Sequence, residues 1–266
     1  MKRLGTILAG AILALSAARA YAGEDGGAFA PGEQATYKVQ FLGIPAGDAK
    51  ISVEPETQQN GAKVWPIVTE AKSARTLFFF KVRDRFVTLW DNLHHRSVGS
   101  ELYASEGSYH WQQQIQFDHS TNSAVVSKQV MGSPVEQTTM EVPKGSFDVA
   151  AAAFALRNRS LEVGHHYELP LFTGAKSFTL RADVLGREVL NTAIGRREVL
   201  RIRAQTEFSG KLQSKRDIIV FLTADSAHVP VRFEAEFLIG RIIANITGYQ
   251  GGTTLASASG ARANHG

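Results

Sequence analysis

The sequence has no cysteine among its 266 residues. This absence excludes a disulfide framework, a zinc–thiolate site, a cysteine nucleophile and lipidation at an N-terminal cysteine. The chain also has no G-x-S-x-G elbow, no HExxH zinc motif, no phosphate-binding loop and no dinucleotide fingerprint. Its adjacent histidines, at 94–95 and 165–166, would face opposite sides of a strand and make no two-ligand metal site. We therefore expect no cofactor, no metal site and no enzymatic activity.

Long apolar runs are also lacking, except for one at the N-terminus. Lys2 and Arg3 precede an apolar stretch over residues 4–18, and Ala-Tyr-Ala at residues 20–22 fits a small-x-small cleavage pattern. The run is shorter than the roughly 20 residues that span a bilayer, which makes a membrane anchor the weaker alternative. The pattern predicts a signal peptide over residues 1–22, cleaved after about Ala22. We expect a protein of the bacterial periplasm with no transmembrane segment in the mature chain.

The charge balance argues against nucleic acid as a partner. The whole chain carries a formal net charge of +4, but three of its basic residues lie within the predicted signal peptide. The mature chain is therefore nearly neutral, unlike typical nucleic-acid-binding domains. Residues 251–266 are rich in Gly, Ala and Ser and predict a disordered tail. Between a short lead at 23–28 and this tail we expect a single β-rich domain over residues 29–250.

The body of the chain alternates apolar and polar residues with a period of two, which is typical of strands with one buried face. Tyr37, Val39 and Phe41, for example, alternate with Lys38 and Gln40. The same alternation recurs over residues 49–53, 178–184, 200–208 and 231–237. Because turn signals separate the patterns, we expect about a dozen antiparallel strands.

One segment breaks the alternation. Four alanines, Phe154 and Leu156 follow Ser146 and Asp148, either of which can cap a helix. The segment predicts one short helix near residues 149–157. The expected fold is therefore mainly all-β, with long antiparallel strands that form a curved sheet, either an open trough or a closed barrel, and with this single helix.

The stretch FFFKVRDRFVTLWD, residues 78–91, predicts one long strand whose two faces differ. One face carries a basic stripe. The other face is apolar apart from a single carboxylate and includes Phe80, Asp84, Phe86 and Trp90. The stripe, formed by Lys81, Arg83 and Arg85, is either a solvated face or a surface for anionic lipid headgroups or an acidic partner.

Asp84 raises a question, because an isolated carboxylate on an apolar face is costly to bury. The favoured interpretation is an ion pair with Arg157 at the end of the predicted helix, which would tie the sheet to the helix. A β-bulge that turns Asp84 outward is a second interpretation. A third is a polar anchor for a ligand headgroup inside an apolar cavity.

Several motifs together resemble a known family. These are PGEQATYKVQFLGIPAGDAKISV, FKVRDRFVTLWD, the Asp-led helix that ends in Leu-Arg, and the closing IIVFLTADSAHVPVRFEAEF. Over about residues 29–249 the chain resembles the exported bacterial proteins catalogued as domain of unknown function 3108. The resemblance implies an envelope location and a mostly β structure, and it supplies no activity and no catalytic residues. The chain also looks like a distant relative of trough-shaped periplasmic lipoprotein carriers, which is an analogy of fold alone.

Three functions are compatible with the sequence. The first is a non-enzymatic periplasmic carrier that binds an apolar ligand such as a lipid in a β-trough, with the helix as a lid. The second is an envelope assembly or scaffold module that contacts a protein partner through strand edges or the GIPAG turn. The third is a hydrolase of an envelope polymer. For the carrier, the candidate ligand-binding residues are Phe80, Asp84, Phe86, Trp90 and Arg157, and the candidate headgroup or partner surface is Lys81, Arg83 and Arg85.

Overall fold

A computed structural model of the chain describes residues 27–59, 61–74, 81–208, 211–212, 218–237 and 240–252. The predicted signal peptide, Phe80 and most of the predicted tail lie outside the described residues. The described part consists mainly of strands, as the alternation predicts. The strands are β1 (Gln34–Phe41), β2 (Ile44–Val53), β3 (Thr57–Gln59), β4 (Ala62–Ser73), β5 (Val82–Asp91), β6 (Arg96–Glu106), β7 (Tyr109–Asp118), β8 (Ser123–Val130), β9 (Glu136–Glu141), β10 (His166–Phe172), β11 (Ser177–Thr192), β12 (Gly195–Phe208), β13 (Lys211–Leu212), β14 (Ile218–Thr223), β15 (Pro230–Phe237) and β16 (Gly240–Gln250).

The strands form one antiparallel sheet in the order β10-β11-β12-β14-β15-β16-β1-β2-β4-β5-β6-β7-β8-β9, with β13 added to β12 and β3 added to β4. The backbone ladder is open, because β9 and β10 are the two ends of this order. Side chains nevertheless bring the two ends of the sheet together. The rings of Phe117 on β7 and Phe172 on β10 lie 6.2 Å apart. Gln113 Nε2 donates to the carbonyl of Thr173 at 3.1 Å. The prediction of a curved sheet is confirmed.

The predicted helix is also confirmed, as α1 (Val149–Arg157). Every residue of α1 from Ala150 to Arg157 is buried, so the helix belongs to the core. Phe154 packs edge-on against Phe29 at 4.6 Å between ring centroids, and Phe29 lies 5.7 Å from Trp90 on β5. The prediction that the helix is a lid was wrong. A helix that is apolar on all sides is stable only when it is surrounded, and this one fills part of the curled sheet.

Candidate functional site

The side chains of β5 alternate as the sequence predicts. Val82, Asp84, Phe86 and the remaining even-numbered residues of the strand are buried on the inner face of the sheet, whereas Arg83 and Arg85 are exposed on the outer face. Lys81, immediately before the strand, is exposed as well. The β-bulge that would turn Asp84 outward is therefore excluded as an interpretation.

Asp84 is a buried carboxylate with an incomplete set of hydrogen bonds. The residue is only 4% exposed. Oδ1 accepts from the backbone N–H of Ser105 at 3.0 Å, and Oδ2 has no hydrogen-bond partner in the described part of the chain. Burial raises the pKa of Asp84 to about 6, the Ser105 hydrogen bond opposes this, and the nearby Glu106 adds to it. A carboxyl group with such a pKa can exchange a proton near neutral pH.

The predicted ion pair between Asp84 and Arg157 was wrong, because Arg157 binds Glu33. Arg157 Nη1 lies 2.6 Å from Glu33 Oε1, and Nη2 lies 3.0 Å from Oε2. Nη2 also donates to the carbonyls of Ala28 and Ala227. The C-terminal end of α1 thus faces the lead before β1 and the β14–β15 connection.

The N-terminal end of α1 is the end that contacts β5 and β6. Asp148 caps the helix by accepting from the backbone N–H of Ala151 at 2.9 Å. The same carboxylate accepts from Thr88 Oγ1 at 2.7 Å and from Ser97 Oγ at 2.5 Å. Burial raises the pKa of Asp148, against these hydrogen bonds. The carboxylate that ties the sheet to the helix is therefore Asp148, a role that the sequence interpretation gave to Asp84.

Small side chains flank Asp84 on the inner face. Its cross-strand partners are Ala71 on β4 and Ala104 on β6, and Ala104 is in turn paired with Trp111 on β7. Neither alanine has a polar side-chain atom, so neither can donate a hydrogen bond to Oδ2 of Asp84. Because Oδ2 has no partner among the described residues, the inner face around Asp84 is the candidate ligand site.

Several inner-face residues near Asp84 remain open to solvent. Phe86 pairs with Leu102 on β6, and Leu102 pairs with Gln113 on β7. Leu102, Trp111 and Gln113 are half-buried although they share the face of the buried Ile115. Lys128 Nζ lies 5.2 Å from the centroid of the Trp111 ring. We call this surface the inner-face site, formed by Asp84, Phe86, Leu102, Trp111, Gln113 and Lys128.

The sequence predictions account for part of this site. Asp84 and Phe86 belong to it, whereas Trp90 lies deeper, fully buried against Phe29. Arg157 is occupied by its four hydrogen bonds, so the geometry disfavours a ligand role for it, and Phe80 lies outside the described residues. The sequence interpretation missed four members of the site: Leu102, Trp111, Gln113 and Lys128. The alternation in WQQQIQF, which puts Trp111, Gln113, Ile115 and Phe117 on one face, was the available signal.

No group of three or more His, Asp or Glu side chains in the part of the chain that the structure describes could hold a metal ion. No helix among the described residues is long and apolar enough to cross a membrane.

The fold and the site together define a barrel-like antiparallel β protein with a helix in its core. Residues 36–247 match the family model described as "Protein of unknown function (DUF3108)". The chain therefore belongs to this family, as the resemblance of its motifs indicates. No curated protein matches the sequence.

A solved structure of similar architecture supports the fold. The chain is similar to a β-barrel-like protein of domain of unknown function DUF1849 from Brucella abortus, with a TM-score of 0.53 at 8% identity. That match covers 84% of this chain and 98% of the other. A candidate exported protein with a YmcC-like fold from Bacteroides fragilis matches with a TM-score of 0.30 at 8% identity, over 84% of this chain and 98% of the other. A candidate lipoprotein from Parabacteroides distasonis matches with a TM-score of 0.34 at 8% identity, over 86% of this chain and 100% of the other.

Proposed function

We propose that the protein is a non-enzymatic protein of the bacterial periplasm that binds an apolar ligand, such as a lipid, at the inner-face site. The observation that carries the proposal is a buried carboxylate oxygen of Asp84 that has no hydrogen-bond partner among the described residues and lies beside half-buried apolar side chains on the same face. Ligand sites in proteins are mainly apolar and contain a few polar groups that fix orientation. Export rests on the predicted signal peptide, and the carrier role rests on this site.

The apolar and the polar side chains of the site have different roles. Phe86, Leu102 and Trp111 provide apolar contact area for a hydrocarbon chain. Asp84 and Gln113 provide hydrogen-bonding groups for a polar end, and Lys128 provides a positive charge near the Trp111 ring. When protonated, Asp84 can donate a hydrogen bond to a ligand oxygen; when ionised, it can accept one from a hydroxyl or an amine. Because its pKa is about 6, both forms are accessible near neutral pH.

A titration with a lipid that bears bromine atoms on its acyl chain tests the proposal, since bromine quenches nearby tryptophan fluorescence. We expect quenching that Trp111→Phe removes, because the other two tryptophans, Trp65 and Trp90, both pack against Phe29 at the far end of β4 and β5. Leu102→Asp should weaken binding about tenfold or more through lost apolar contact. Tyr103→Asp is the matched control, since Tyr103 is the next residue and lies 40% exposed on the outer face. Equal affinities for Leu102→Asp and Tyr103→Asp would contradict the proposal.

A scaffold module is the second candidate function, and β9 is the observation that favours it. This strand is an end of the hydrogen-bonded order, and all of its residues but Met140 are exposed. An edge of this kind can pair with a strand from a partner. Glu136 and Glu141 at its two ends are the charges that commonly limit such pairing. Cross-links from β9 to one specific envelope protein, with no bound lipid, would favour this function over the first.

A further inference from the structure

The turn between β1 and β2 carries an exposed leucine in an unfavourable conformation. Leu42 and Gly43 have φ values of 53° and 79°, so both adopt the left-handed region of a two-residue hairpin turn. Asn-Gly is the pair that suits such a turn, and leucine is rarely found there. Leu42 is nevertheless 61% exposed, and Ile44 beside it is 60% exposed. The turn geometry therefore does not explain why these two positions are apolar.

A basic groove lies on the outer face of the same hairpin. It has a volume of about 750 Å³ and runs across β1, β2, β4 and β5. Two registered rows of residues form its walls. The first row is Lys38, Asp48, Lys72 and Arg83, and the second row is Thr36, Lys50, Glu70 and Arg85. Thr247 and the intervening row, whose side chains lie on the other face, also line it; that row is Tyr37, Ala49, Ala71 and Asp84.

The groove has more positive than negative side chains. Asp48 is bonded to Lys38, and Glu70 lies 3.9 Å from Arg85. No described carboxylate forms an ion pair with the remaining three cations, which are Lys50, Lys72 and Arg83. The outer face of the hairpin therefore presents a net positive potential to solvent.

The apolar turn and the basic groove follow one another along the same hairpin. Ile44 and Asp48 are four residues apart on β2, a separation of roughly 13 Å along the strand. The polar region of each bilayer leaflet is about 5–8 Å thick, and interfacial segments insert about 5–10 Å. Apolar residues at the turn would thus reach the acyl boundary while the long side chains of Lys72 and Arg83 reach the lipid phosphates. An acidic protein surface would also match the positive charges of the groove, but it would not explain why the exposed turn is apolar.

We propose that the β1–β2 end of the sheet docks onto an anionic lipid bilayer, with Leu42 and Ile44 inserted at the surface and the basic groove on lipid phosphates. Lys81 is exposed next to β5 and adds a further cation to this surface. The docking surface lies on the outer face of the sheet, opposite the inner-face site. Membrane docking goes beyond the proposed function, and either docking or ligand binding at the inner-face site can be correct without the other.

Co-sedimentation with lipid vesicles tests the proposal, using protein recovered from the periplasm with its N-terminus checked by mass. We expect binding to vesicles that contain phosphatidylglycerol, weak binding to pure phosphatidylcholine, and loss of binding at high salt. Lys72→Gln combined with Arg83→Gln should lower the partition coefficient roughly 25-fold, at about fivefold per cation. Arg196→Gln combined with Arg201→Gln, two exposed cations on β12, is the matched control and should change little.

The turn provides a second test that does not depend on charge. Leu42→Asn removes the apolar side chain and supplies a residue that tolerates the left-handed conformation, so the fold should be at least as stable as before. Vesicle binding should nevertheless fall several-fold. Leu93→Asn is the control, because Leu93 is 82% exposed in the β5–β6 turn at the opposite end of the sheet.

Two results would overturn the docking proposal. One is vesicle binding that Leu42→Asn and Leu93→Asn affect equally. The other is absence of binding to vesicles that contain phosphatidylglycerol, and cross-links from Lys50 or Lys72 to an acidic envelope protein would then put a protein in the groove. Failure of vesicle binding would leave the inner-face site unaffected, since that site is tested with lipid in solution.

Discussion

Arg157 and Glu33 form a buried ion pair with two short contacts, of 2.6 Å between Nη1 and Oε1 and 3.0 Å between Nη2 and Oε2. Arg157 is 0% exposed and Glu33 is 5% exposed. The Arg157 guanidinium also lies 4.9 Å from the Phe154 ring and 5.3 Å from the Phe29 ring. Through this pair and the carbonyl of Ala227, the end of α1 is joined to the lead before β1 and to the β14–β15 connection.

Removing one member of this pair should destabilise the protein strongly. Arg157→Met leaves the Glu33 carboxylate buried without its partner, and such a change costs about 3–5 kcal/mol. Urea denaturation measures this loss as a change in the free energy of unfolding. The double variant Arg157→Met with Glu33→Met should recover much of the loss, because no uncompensated charge remains. A single variant within about 1 kcal/mol of the wild type would contradict the importance given to the pair.

The other end of the helix depends on Asp148. Asp148→Ala removes the cap, worth about 1 kcal/mol, leaves the buried hydroxyl of Thr88 without its acceptor, and leaves Ser97 with only the carbonyl of Gly99. We expect a total loss of roughly 3 kcal/mol in the free energy of unfolding. Asp148→Asn should lose less, since an asparagine oxygen can still cap the helix. Equal losses for the two variants would contradict this expectation, since the asparagine oxygen would then restore neither the cap nor the hydroxyl bonds.

The fold was largely predictable from the sequence because its signals are local. The alternation of apolar and polar residues revealed β5 from Val82 onward, and an alanine-rich segment with a capping residue revealed α1 with its observed bounds. The partner of Arg157 was not predictable in this way. Glu33 lies 124 residues away, in a segment without alternation, and only the three-dimensional curl of the sheet brings the two together.

The candidate site was predictable only in part, for a related reason. Asp84 stood out as a carboxylate in an apolar pattern. Trp111 and Gln113 lie in a strand whose inner face is interrupted by the polar Gln113, so its alternation is a weaker signal than that of β5. The position of the helix was missed because composition does not reveal which side of a sheet a helix occupies. Because α1 fills part of the interior, the candidate site is confined to the surface around Asp84.

The stability of the protein should depend on the ionisation of Asp84. Its pKa is raised from 3.8 to about 6 in the folded protein, so the folded state binds this proton more tightly than the unfolded state. The contribution of Asp84 to stability is therefore greatest below pH 3.8 and falls as the pH rises through about 6, by at most roughly 3 kcal/mol.

Asp84→Asn tests this dependence, since an amide does not ionise. At neutral pH the variant should be more stable than the wild type, and the difference should shrink as the pH falls below about 6. Thermal unfolding of both proteins across this pH range measures the effect. A variant that is less stable at neutral pH would show that the carboxylate has a stabilising partner.

Gly47 is required where β2 and β4 approach closely. A β-carbon at this position would lie 2.3 Å from the backbone carbonyl oxygen of Lys72, a distance that forces the strands apart. Gly47→Ala should therefore lower the free energy of unfolding by about 1–3 kcal/mol. Gly186→Ala is the matched control, because a β-carbon there meets nothing within 4 Å. Similar stabilities for the two variants in urea would contradict the close approach.

The central claim is that the inner-face site binds an apolar ligand, and native mass spectrometry of the protein recovered gently from a bacterial periplasm tests it most directly. We predict a discrete additional mass of lipid size that is lost on denaturation, reduced in Leu102→Asp and retained in Tyr103→Asp. A mass equal to that of the polypeptide alone, with no added lipid bound at any concentration tested, would contradict the claim.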